Sequence, residues 1–517
     1  MLDFRPDLDP NTPGYLITLS EMQPSTKGYA TAVGEQNHTA HTYTLSAGEV
    51  WPNVCFASRW QSQPGGIVIV GTNKKLNVYD YTNGFIDVSK GGGYAIGAAP
   101  FQRSEDAYGS FDVCAFGDVI VATNKSAPSQ KRNALDLTAG TLFSDLGSFT
   151  AAPQGNTCCV AANFVFIGDV GNWSTVTGAS DILAWSAIGD HTDWRVNPQV
   201  TQSSYAQFVD TPGAITAVRP FKDGIIVFKG TSMYRGRYVG AGPNSPIWDF
   251  ERISDKIGCV GHRSVVNIDH ALVFVGWRDI YIYDGTVPRS ITTGIWEWIR
   301  GTAGLFDGTT PLQLGHHHGG KAVWFMGYIM TVTWSYKFDR WGVQSIQQTS
   351  QPIPCQTNGE FFTTWTVTGI TAGVATVAES VNHTDLSTLR IVQGVPRNRN
   401  TTAVTPSNSF LITGWFGRPN KMQALSRVNP ILTTRPATPP TVPPNMELTV
   451  YGSKTPGTGV TLGGAYLNSE FRFDTLGANP NTTMTGSTQN YFSFRIDSRE
   501  RIEIIDIVPT FTPAGER

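Results

Sequence analysis

Three consecutive histidines, His316, His317 and His318, are the densest group of metal-binding side chains in the sequence. Successive side chains of an extended segment point to opposite faces, so at most two of the three could bind one metal ion. Gly315 precedes the run and Gly319 follows it, which is typical of a loop. We therefore expect a solvated loop with at most adventitious metal binding, and we predict no dedicated metal site and no cofactor.

Segment 185–194, WSAIGDHTDW, comes nearest to a motif of an enzyme family. Sialidases, which are β-propellers, carry a structural turn of the form Ser-x-Asp-x-Gly-x-x-Trp, but here Asp and Gly are interchanged and the spacing differs. Glycoside hydrolysis needs two carboxylates a few ångströms apart, or a Tyr nucleophile in sialidases, and the sequence identifies no such pair. Gly91-Gly92-Gly93 lacks the Lys-Ser/Thr of a phosphate-binding loop, and no G-x-S-x-G elbow occurs. We predict no catalytic residues and no enzymatic activity.

The cysteines do not form a pattern that binds metal or builds a disulfide framework. No C-x-x-C pair occurs, and two of the six are adjacent in the sequence. Most lie in or beside apolar runs, where a free cysteine behaves as a small buried hydrophobic residue. The N-terminus shows no signal-peptide pattern and no apolar run approaches about 18 residues, so synthesis in a reducing cytoplasm is expected. The six are Cys55, Cys114, Cys158, Cys159, Cys259 and Cys355.

Composition favours an all-β protein. Charged residues make up only 15% of the 517, while Gly and Pro number 54 and 31, a mixture that suits short strands joined by tight turns. The net charge of −2, without a basic cluster, argues against tight binding of nucleic acid by phosphate neutralisation. The low charge density also suggests that much of the surface contacts other protein.

A short apolar strand, usually closed by Gly or a Gly-Thr turn, recurs along the chain at intervals of 45–61 residues. Such a period is typical of a β-propeller, with each run as a central blade strand that is buried on both faces. Six copies are clear and a weaker seventh is proposed at 374–377. The copies are 67–71, 119–123, 164–168, 225–230, 272–276, 323–327 and 374–377. A pair of unrelated β-sandwiches is the alternative.

The pattern around these copies divides the chain into three parts. Alternating strands with turn residues follow several copies, as at 76–80 and 280–284, and Trp341 falls where an outer blade strand would pack back. We expect residues 51–404 to form a six- or seven-bladed β-propeller-like domain. Residues 1–50 are expected to be an N-terminal arm with the first strands. Alternation at 447–452 and 491–496 predicts a smaller C-terminal β-sandwich domain over 405–517.

Several strings, in their order along the chain, resemble tail nozzle and packaged-DNA stabilisation hub proteins of short-tailed bacteriophages. The strongest is a blade in which an apolar strand ending in Gly precedes an Ile-Tyr strand and Asp-Gly. Segment 185–194 resembles the Trp-Ser strand and Gly-Asp…Trp turn of these proteins. The matching segments are 22–29, 185–194, 258–266, 271–281, 284–285, 491–496 and 512–517. Segment 345–400 matches nothing in the family pattern.

The resemblance implies a structural subunit of a phage tail, in the virion, assembled in the host cytoplasm. It implies a ring, of six subunits, below the portal and adaptor, which extends the DNA channel, retains the genome and carries fibre or needle proteins. Double-stranded DNA would pass without sequence-specific binding, and the protein would not insert into a membrane. A glycan- or receptor-binding propeller and, less favoured, a propeller glycosidase are the alternatives.

Overall fold

The structure is a computed structural model, and it describes the chain in separate stretches. Within these stretches there are forty strands and one short helix. The described residues are 3–9, 15–20, 22–25, 28–31, 41–44, 53–60, 63–72, 74–80, 84–91, 93–94, 111–125, 127–133, 141–148, 150–174, 176–240, 246–268, 270–301, 313–317, 321–326, 330–345, 351–354, 363–371, 374–381, 409–417, 423–432, 446–453, 460–466, 473–474, 489–498 and 503–513.

Five short strands come before the first blade. They are β1 (Asp3–Phe4), β2 (Tyr15–Ser20), β3 (Met22–Pro24), β4 (Tyr29–Thr31) and β5 (His41–Thr44). They do not form a separate sheet, because β2 to β5 each pair with a strand far along the chain and β1 pairs with β2.

The next part of the chain folds into successive four-stranded antiparallel sheets, each built from consecutive strands. The first three blades are β6 (Asn53–Trp60), β7 (Gln63–Gly71), β8 (Leu76–Asp80) and β9 (Gly84–Asp87); β10 (Asp112–Phe116), β11 (Val119–Thr123), β12 (Gln130–Asn133) and β13 (Ser144–Asp145); and β14 (Thr157–Ala161), β15 (Phe164–Gly168), β16 (Ile182–Trp185) and β17 (Ser204–Gln207).

Three further blades follow, with the helix between the fifth and the sixth. They are β18 (Ile215–Phe221), β19 (Gly224–Lys229), β20 (Met233–Tyr238) and β21 (Trp248–Ser254); β22 (Val265–Ile268), β23 (Ala271–Val275), β24 (Ile280–Tyr283) and β25 (Arg289–Ser290), then α1 (Trp296–Gly301); and β26 (Gln313–His317), β27 (Ala322–Met326), β28 (Met330–Ser335) and β29 (Arg340–Ser345).

The seventh blade joins the two ends of the ring. It contains β30 (Gln351–Pro354), β31 (Thr363–Thr371) and β32 (Val374–Val381), and its outermost strand is β5 from the N-terminal segment. Thr42 of β5 lies opposite Thr376 of β32 in antiparallel register. The first strands of the seven blades contact one another in cyclic order, and β30 contacts β6. The domain is therefore a closed seven-bladed β-propeller, and the expectation of a propeller is confirmed.

The second strand of each blade carries the repeat that the sequence shows. Every residue of β15, β19 and β23 is buried, as expected for strands covered on both faces. Six of the copies lie in second strands. The seventh was misplaced, because segment 374–377 lies in β32, the third strand of its blade, whereas the second is β31. The threonine-rich alternation of β31 lacks the continuous apolar run that marks the others.

The outer strand of the sixth blade packs as its sequence indicates. Trp341 of β29 is fully buried, with its ring centroid 5.3 Å from Phe325 and 6.3 Å from Trp334. Its indole Nε1 donates to the carbonyl of Ile291, 3.3 Å away, in the segment that leaves the fifth blade. One aromatic side chain therefore ties two blades together.

The remaining strands form a second β-structure beside the fifth and sixth blades. A seven-stranded sheet has the order β1-β2-β33-β39-β36-β37, with β34 also on β39, and β40, β35 and β38 extend the sixth blade through β3 and β4. The C-terminal strands are β33 (Ser409–Thr413), β34 (Phe416–Gly417), β35 (Gln423–Leu432), β36 (Met446–Ser453), β37 (Val460–Tyr466), β38 (Phe473–Asp474), β39 (Tyr491–Ser498) and β40 (Glu503–Pro513).

The N-terminal segment is divided between the two structures rather than forming a separate arm over 1–50. Strands β1 to β4 join the sheets of the C-terminal part, and β5 completes the propeller. Asp7 accepts hydrogen bonds from the first-turn amides of α1, at Glu297 and Trp298, both 2.8 Å long. One apolar core runs from Phe4 through Val273 and Phe325 to Phe494, so the second structure shares a core with the fifth and sixth blades.

Candidate functional site

The first two histidines of the run do not lie in a loop. His316 and His317 lie in β26, the innermost strand of the sixth blade, and His318 falls outside the described residues. His316 is buried, and its Nε2 is 3.1 Å from the hydroxyl of Tyr336. The loop expectation was wrong for these two residues because Gly315 was taken as a turn residue, whereas it lies within β26. Among the described residues, no three His, Cys, Asp or Glu side chains lie together where they could hold a metal ion.

Segment 185–194 forms the end of β16 and a tight turn beyond it. Asp190 accepts hydrogen bonds from the amide and the hydroxyl of Thr192, 2.8 and 2.7 Å long. Trp194 is fully buried, and its Nε1 donates to the carbonyl of His191, 3.0 Å away. The polar atoms of this turn are engaged in holding its own backbone, which is the structural role that the comparison with sialidases suggested.

The loop from 186 to 203, between the third and fourth strands of the third blade, is fixed by hydrogen bonds. Trp185 donates from Nε1 to the carbonyl of Gln202, 2.9 Å away. The amide of Ile188 donates to the carbonyl of Thr201, 3.1 Å away, so the start of the loop is tied to its end. Because the loop is internally bonded, the apolar side chains it exposes are held in place before any partner binds.

Four exposed apolar side chains on this loop or at the neighbouring end of β20 make up what we call the loop patch: Ile188, Val200, Tyr238 and Val239. Val200 and Val239 are 76% and 56% exposed. The hydroxyl of Tyr238, at the end of β20 in the fourth blade, donates to Oε1 of Gln202, 2.8 Å away, which places the end of β20 beside the loop. A group of exposed apolar side chains that spans two blades marks a protein interaction surface better than isolated ones do.

Among the side chains that the structure describes, exposed aromatics do not repeat at equivalent positions of the blades. In the described part of the chain the exposed large aromatics are Tyr205, Tyr238 and Trp277. They occupy a fourth strand, the end of a third strand and the turn after a second strand, in three different blades. A glycan-binding propeller would present aromatics at equivalent positions of several blades, so this distribution does not favour that function.

The innermost strands of three blades are joined by a buried ion pair. Asp112 of β10 and Arg219 of β18 are 2.9 Å apart between Oδ2 and Nη1, and both side chains are nearly inaccessible to solvent. The same Oδ2 accepts a hydrogen bond of 2.7 Å from the hydroxyl of Thr157 and one of 2.9 Å from the amide of Cys158, both in β14. The Asp112 carboxylate of the second blade therefore bonds to the inner strands of the third and fourth blades.

The connection continues into the fifth and sixth blades. Nη2 of Arg219 donates to the carbonyl of His262, and Arg263 donates to the carbonyl of Phe111, 3.3 Å away. The carbonyl of Arg263 in turn accepts from the amide of Leu314 in β26, 2.9 Å away. We call Asp112, Thr157, Arg219, His262 and Arg263 the polar belt. It links the inner strands of the second, third, fourth and sixth blades with the segment that leads into the inner strand of the fifth.

Electrostatics keep the polar belt charged at Asp112 and Arg219 and neutral at His262. Burial would raise the pKa of Asp112, but the charge of Arg219 outweighs it and holds that pKa below its usual value. Burial opposes the charge on Arg219, yet Asp112 raises the pKa of the guanidinium. Burial lowers the pKa of His262 to about 4, with Arg263 and Arg219 adding to the effect and Asp112 opposing it.

Two further buried cations join neighbouring blades. Nζ of Lys125, after β11, lies 2.6 Å from Oδ1 of Asp169, after β15, and both are shielded from solvent. Lys229, at the end of β19, is fully buried and donates from Nζ to the carbonyls of Phe208, 2.8 Å away, and Thr211. These contacts bond the second blade to the third and the third to the fourth.

Our reading of the sequence missed all of these buried charged residues. Lys125, Asp169 and Lys229 lie at the end of a second strand or within two residues of it, so an alignment of the repeats would have shown charge near this strand end in three blades. Asp112 and Arg219 lie on first strands, whose burial the sequence does not mark. Their partnership joins positions 107 residues apart, which spacing in one sequence cannot reveal.

Cysteine placement agrees with the expectation of free buried thiols where the structure describes it. Cys158, Cys159 and Cys259 are buried and Cys114 is partly buried, all as free thiols. The side chains of Cys55 and Cys355 lie outside the described set. No helix in the described stretches is both long and apolar enough to cross a membrane.

Comparisons with known proteins identify no family. No family model matches the sequence, and no curated protein matches it. Similar solved structures include the extracellular domain of a putative one-component system from B. thetaiotaomicron, at 11% identity and a TM-score of 0.38, covering 67% of this chain and 40% of that one. A chain of a mitotic checkpoint complex matches at 9% identity and a TM-score of 0.37, covering 68% of this chain and 98% of that one. The extracellular domain of a putative hybrid two-component system from B. thetaiotaomicron matches at 12% identity and a TM-score of 0.28, covering 76% of this chain and 41% of that one.

Proposed function

We propose that this protein is a non-enzymatic structural subunit of a short bacteriophage tail. In this proposal it forms a nozzle or hub ring, of six subunits, below the portal and adaptor. The ring extends the DNA channel, retains the genome and carries fibre or needle proteins. The order of the family-like strings along the chain is the starting point, and the loop patch is the structural observation that carries the assembly role.

The loop patch suits a contact between proteins for two reasons. Its side chains are apolar and exposed, so covering them removes apolar surface from water. Its loop is fixed by the hydrogen bonds of Trp185 and Ile188, so little conformational freedom is lost when a partner covers it. A low density of charged residues over the whole chain also suits extensive contacts with other subunits.

The propeller supports the same role through its rigidity. Strand β5 completes the seventh blade as its outermost strand, so the N-terminal segment closes the ring, and the polar belt connects inner strands of neighbouring blades. A tail ring must keep its shape while DNA under pressure is held behind it, and a cross-linked disc suits that load. Double-stranded DNA would pass without sequence-specific contacts, since the net charge of −2 gives no general attraction for phosphate.

A pair of aspartate substitutions in the loop patch tests this proposal. Val200→Asp combined with Val239→Asp places two charges on the exposed surface, and we expect loss of binding to purified portal–adaptor tail complexes in sedimentation velocity. Val209→Asp is the matched control, because Val209 is 74% exposed but lies beyond the opposite end of β17. Intrinsic tryptophan fluorescence checks folding. Tail binding by the double variant equal to that of the wild type would remove the patch from the interface.

A further inference from the structure

Two cysteines from neighbouring blades face one another across the inner part of the propeller. Cys158 of β14 packs in the same apolar cluster that Cys114 of β10 borders. The Sγ of Cys158 lies 3.4 Å from the carbonyl oxygen of Asp112 and 4.0 Å from that of Val121. Val121 is the residue that pairs with Cys114 in the second blade. The Cys158 thiol therefore points into the strands around Cys114.

Strand geometry gives both side chains the same direction of approach. Cys114 is two residues after Asp112 in β10, so their side chains share a face, and Asp112 accepts from the Cys158 amide. Cys114 also contributes to raising the pKa of the Cys158 thiol. Cys159 is adjacent to Cys158 but belongs to a different apolar cluster, with Phe164 and Trp185. The chain thus offers a matched thiol that faces away.

We propose that Cys114 and Cys158 form a disulfide between the second and third blades when the folded protein meets an oxidising small disulfide such as oxidised glutathione. The pair would be a covalent modification site of the propeller, reduced inside a cell and oxidised outside it. This inference rests on the two strands alone and is independent of the proposed tail function.

The reaction is an ordinary thiol–disulfide exchange in two steps. Cys114, which is partly exposed, loses its proton to solvent and attacks one sulfur of the small disulfide, releasing one small thiolate. Cys158 then loses its proton and attacks the Cys114 sulfur, releasing the second small thiolate. The two cysteines give up two electrons and two protons in total, and the small disulfide becomes two thiols.

The environment of Cys158 determines the rate of the second step. Burial, with Cys114 and Asp112 adding to it and Arg219 opposing it, holds the pKa of this thiol well above its usual value. Only the deprotonated thiol attacks, so ring closure is slow compared with capture at Cys114. Once formed, the bond closes a loop that contains most of the second blade and restricts the unfolded chain, so the oxidised protein should unfold at a higher temperature.

The test is to oxidise folded protein with oxidised glutathione, quench with acid, block free thiols in denaturant and digest with trypsin. We expect the thiol count to fall from six to four and peptides 104–125 and 133–195 to be joined. Cys159→Ser should give the same joined peptides, with thiols falling from five to three. Cys114→Ser should give no joined peptides and no rise in the unfolding temperature on oxidation.

Two outcomes would overturn the proposal. A loss of two thiols without joined peptides would indicate a bond between the adjacent Cys158 and Cys159, and Cys159→Ser would then abolish it. Six free thiols after prolonged oxidation of protein whose tryptophan fluorescence is native would show that the two sulfurs cannot meet. Because Cys114 is only partly buried, Cys114→Ala provides a second variant if the serine form folds poorly.

Discussion

Removing the negative charge of the polar belt should destabilise the propeller far more than removing a surface charge. In Asp112→Asn the amide keeps the size of the side chain and can still accept from Thr157 and Cys158. Arg219 remains buried but loses its counter-ion, which was 2.9 Å away. Breaking a buried pair from one side costs about 3–5 kcal/mol, because the remaining charge is left uncompensated in a poorly solvated site.

The reverse change should have a similar cost, and the double change should recover part of it. Arg219→Met leaves the Asp112 carboxylate without its counter-ion, accepting hydrogen bonds from β14 and from the amide of Val113. Asp112→Asn with Arg219→Met removes both charges, so we expect a coupling free energy of about 2 kcal/mol or more in favour of the double variant. Urea unfolding followed by tryptophan fluorescence gives the four free energies of unfolding.

A surface pair provides the control for this measurement. Arg237 and Glu251 are 3.2 Å apart in the fourth blade, and both side chains are more than half exposed. Glu251→Gln should change the free energy of unfolding by less than about 1 kcal/mol. The reasoning would be refuted if Asp112→Asn cost no more than Glu251→Gln, or if the two belt substitutions were strictly additive.

Three further results are expected. The pKa of His262 is about 4 in the folded protein against 6.5 unfolded, so the unfolded chain binds its proton first and stability falls by about 3 kcal/mol as pH drops from 6.5 to 4. His262→Gln should flatten that slope in urea titrations, and an unchanged slope would exclude His262 as its source. Thr42→Pro removes a backbone donor from β5, so amides of 374–381 should exchange hydrogen faster, while equal exchange would contradict closure by β5. Lys125→Met should cost about 3–5 kcal/mol by stranding Asp169, measured by the same unfolding assay; a neutral result would show that Asp169 is solvated.

The sequence carried enough information for the propeller because second strands are buried on both faces. Runs such as Phe164–Gly168 and Ala271–Val275 are continuously apolar and therefore visible without a structure. The seventh blade was located only approximately, since β31 is rich in threonine. Its outer strand comes from residues 41–44, more than three hundred positions before β32 in the chain, and no local pattern identifies such a partner.

The buried charged residues could not be predicted from local sequence either, because their partners lie in other blades. Asp112 and Arg219 each look like ordinary surface residues of alternating strands until the ring brings their blades together. His316 and His317 were read as a loop because glycines flank them, yet pairing with β27 holds them in a strand. Local sequence reports burial along one strand, whereas contacts between blades depend on how the ring closes.

Electron microscopy of the purified protein, alone and mixed with portal–adaptor complexes from the same source, tests the central proposal most directly. We expect seven-bladed discs that assemble into a ring with a central hole, or that add as a ring to the distal end of the portal–adaptor stub. Discs that stay single and leave the stub unoccupied, under conditions where other tail proteins bind it, would contradict the assembly role.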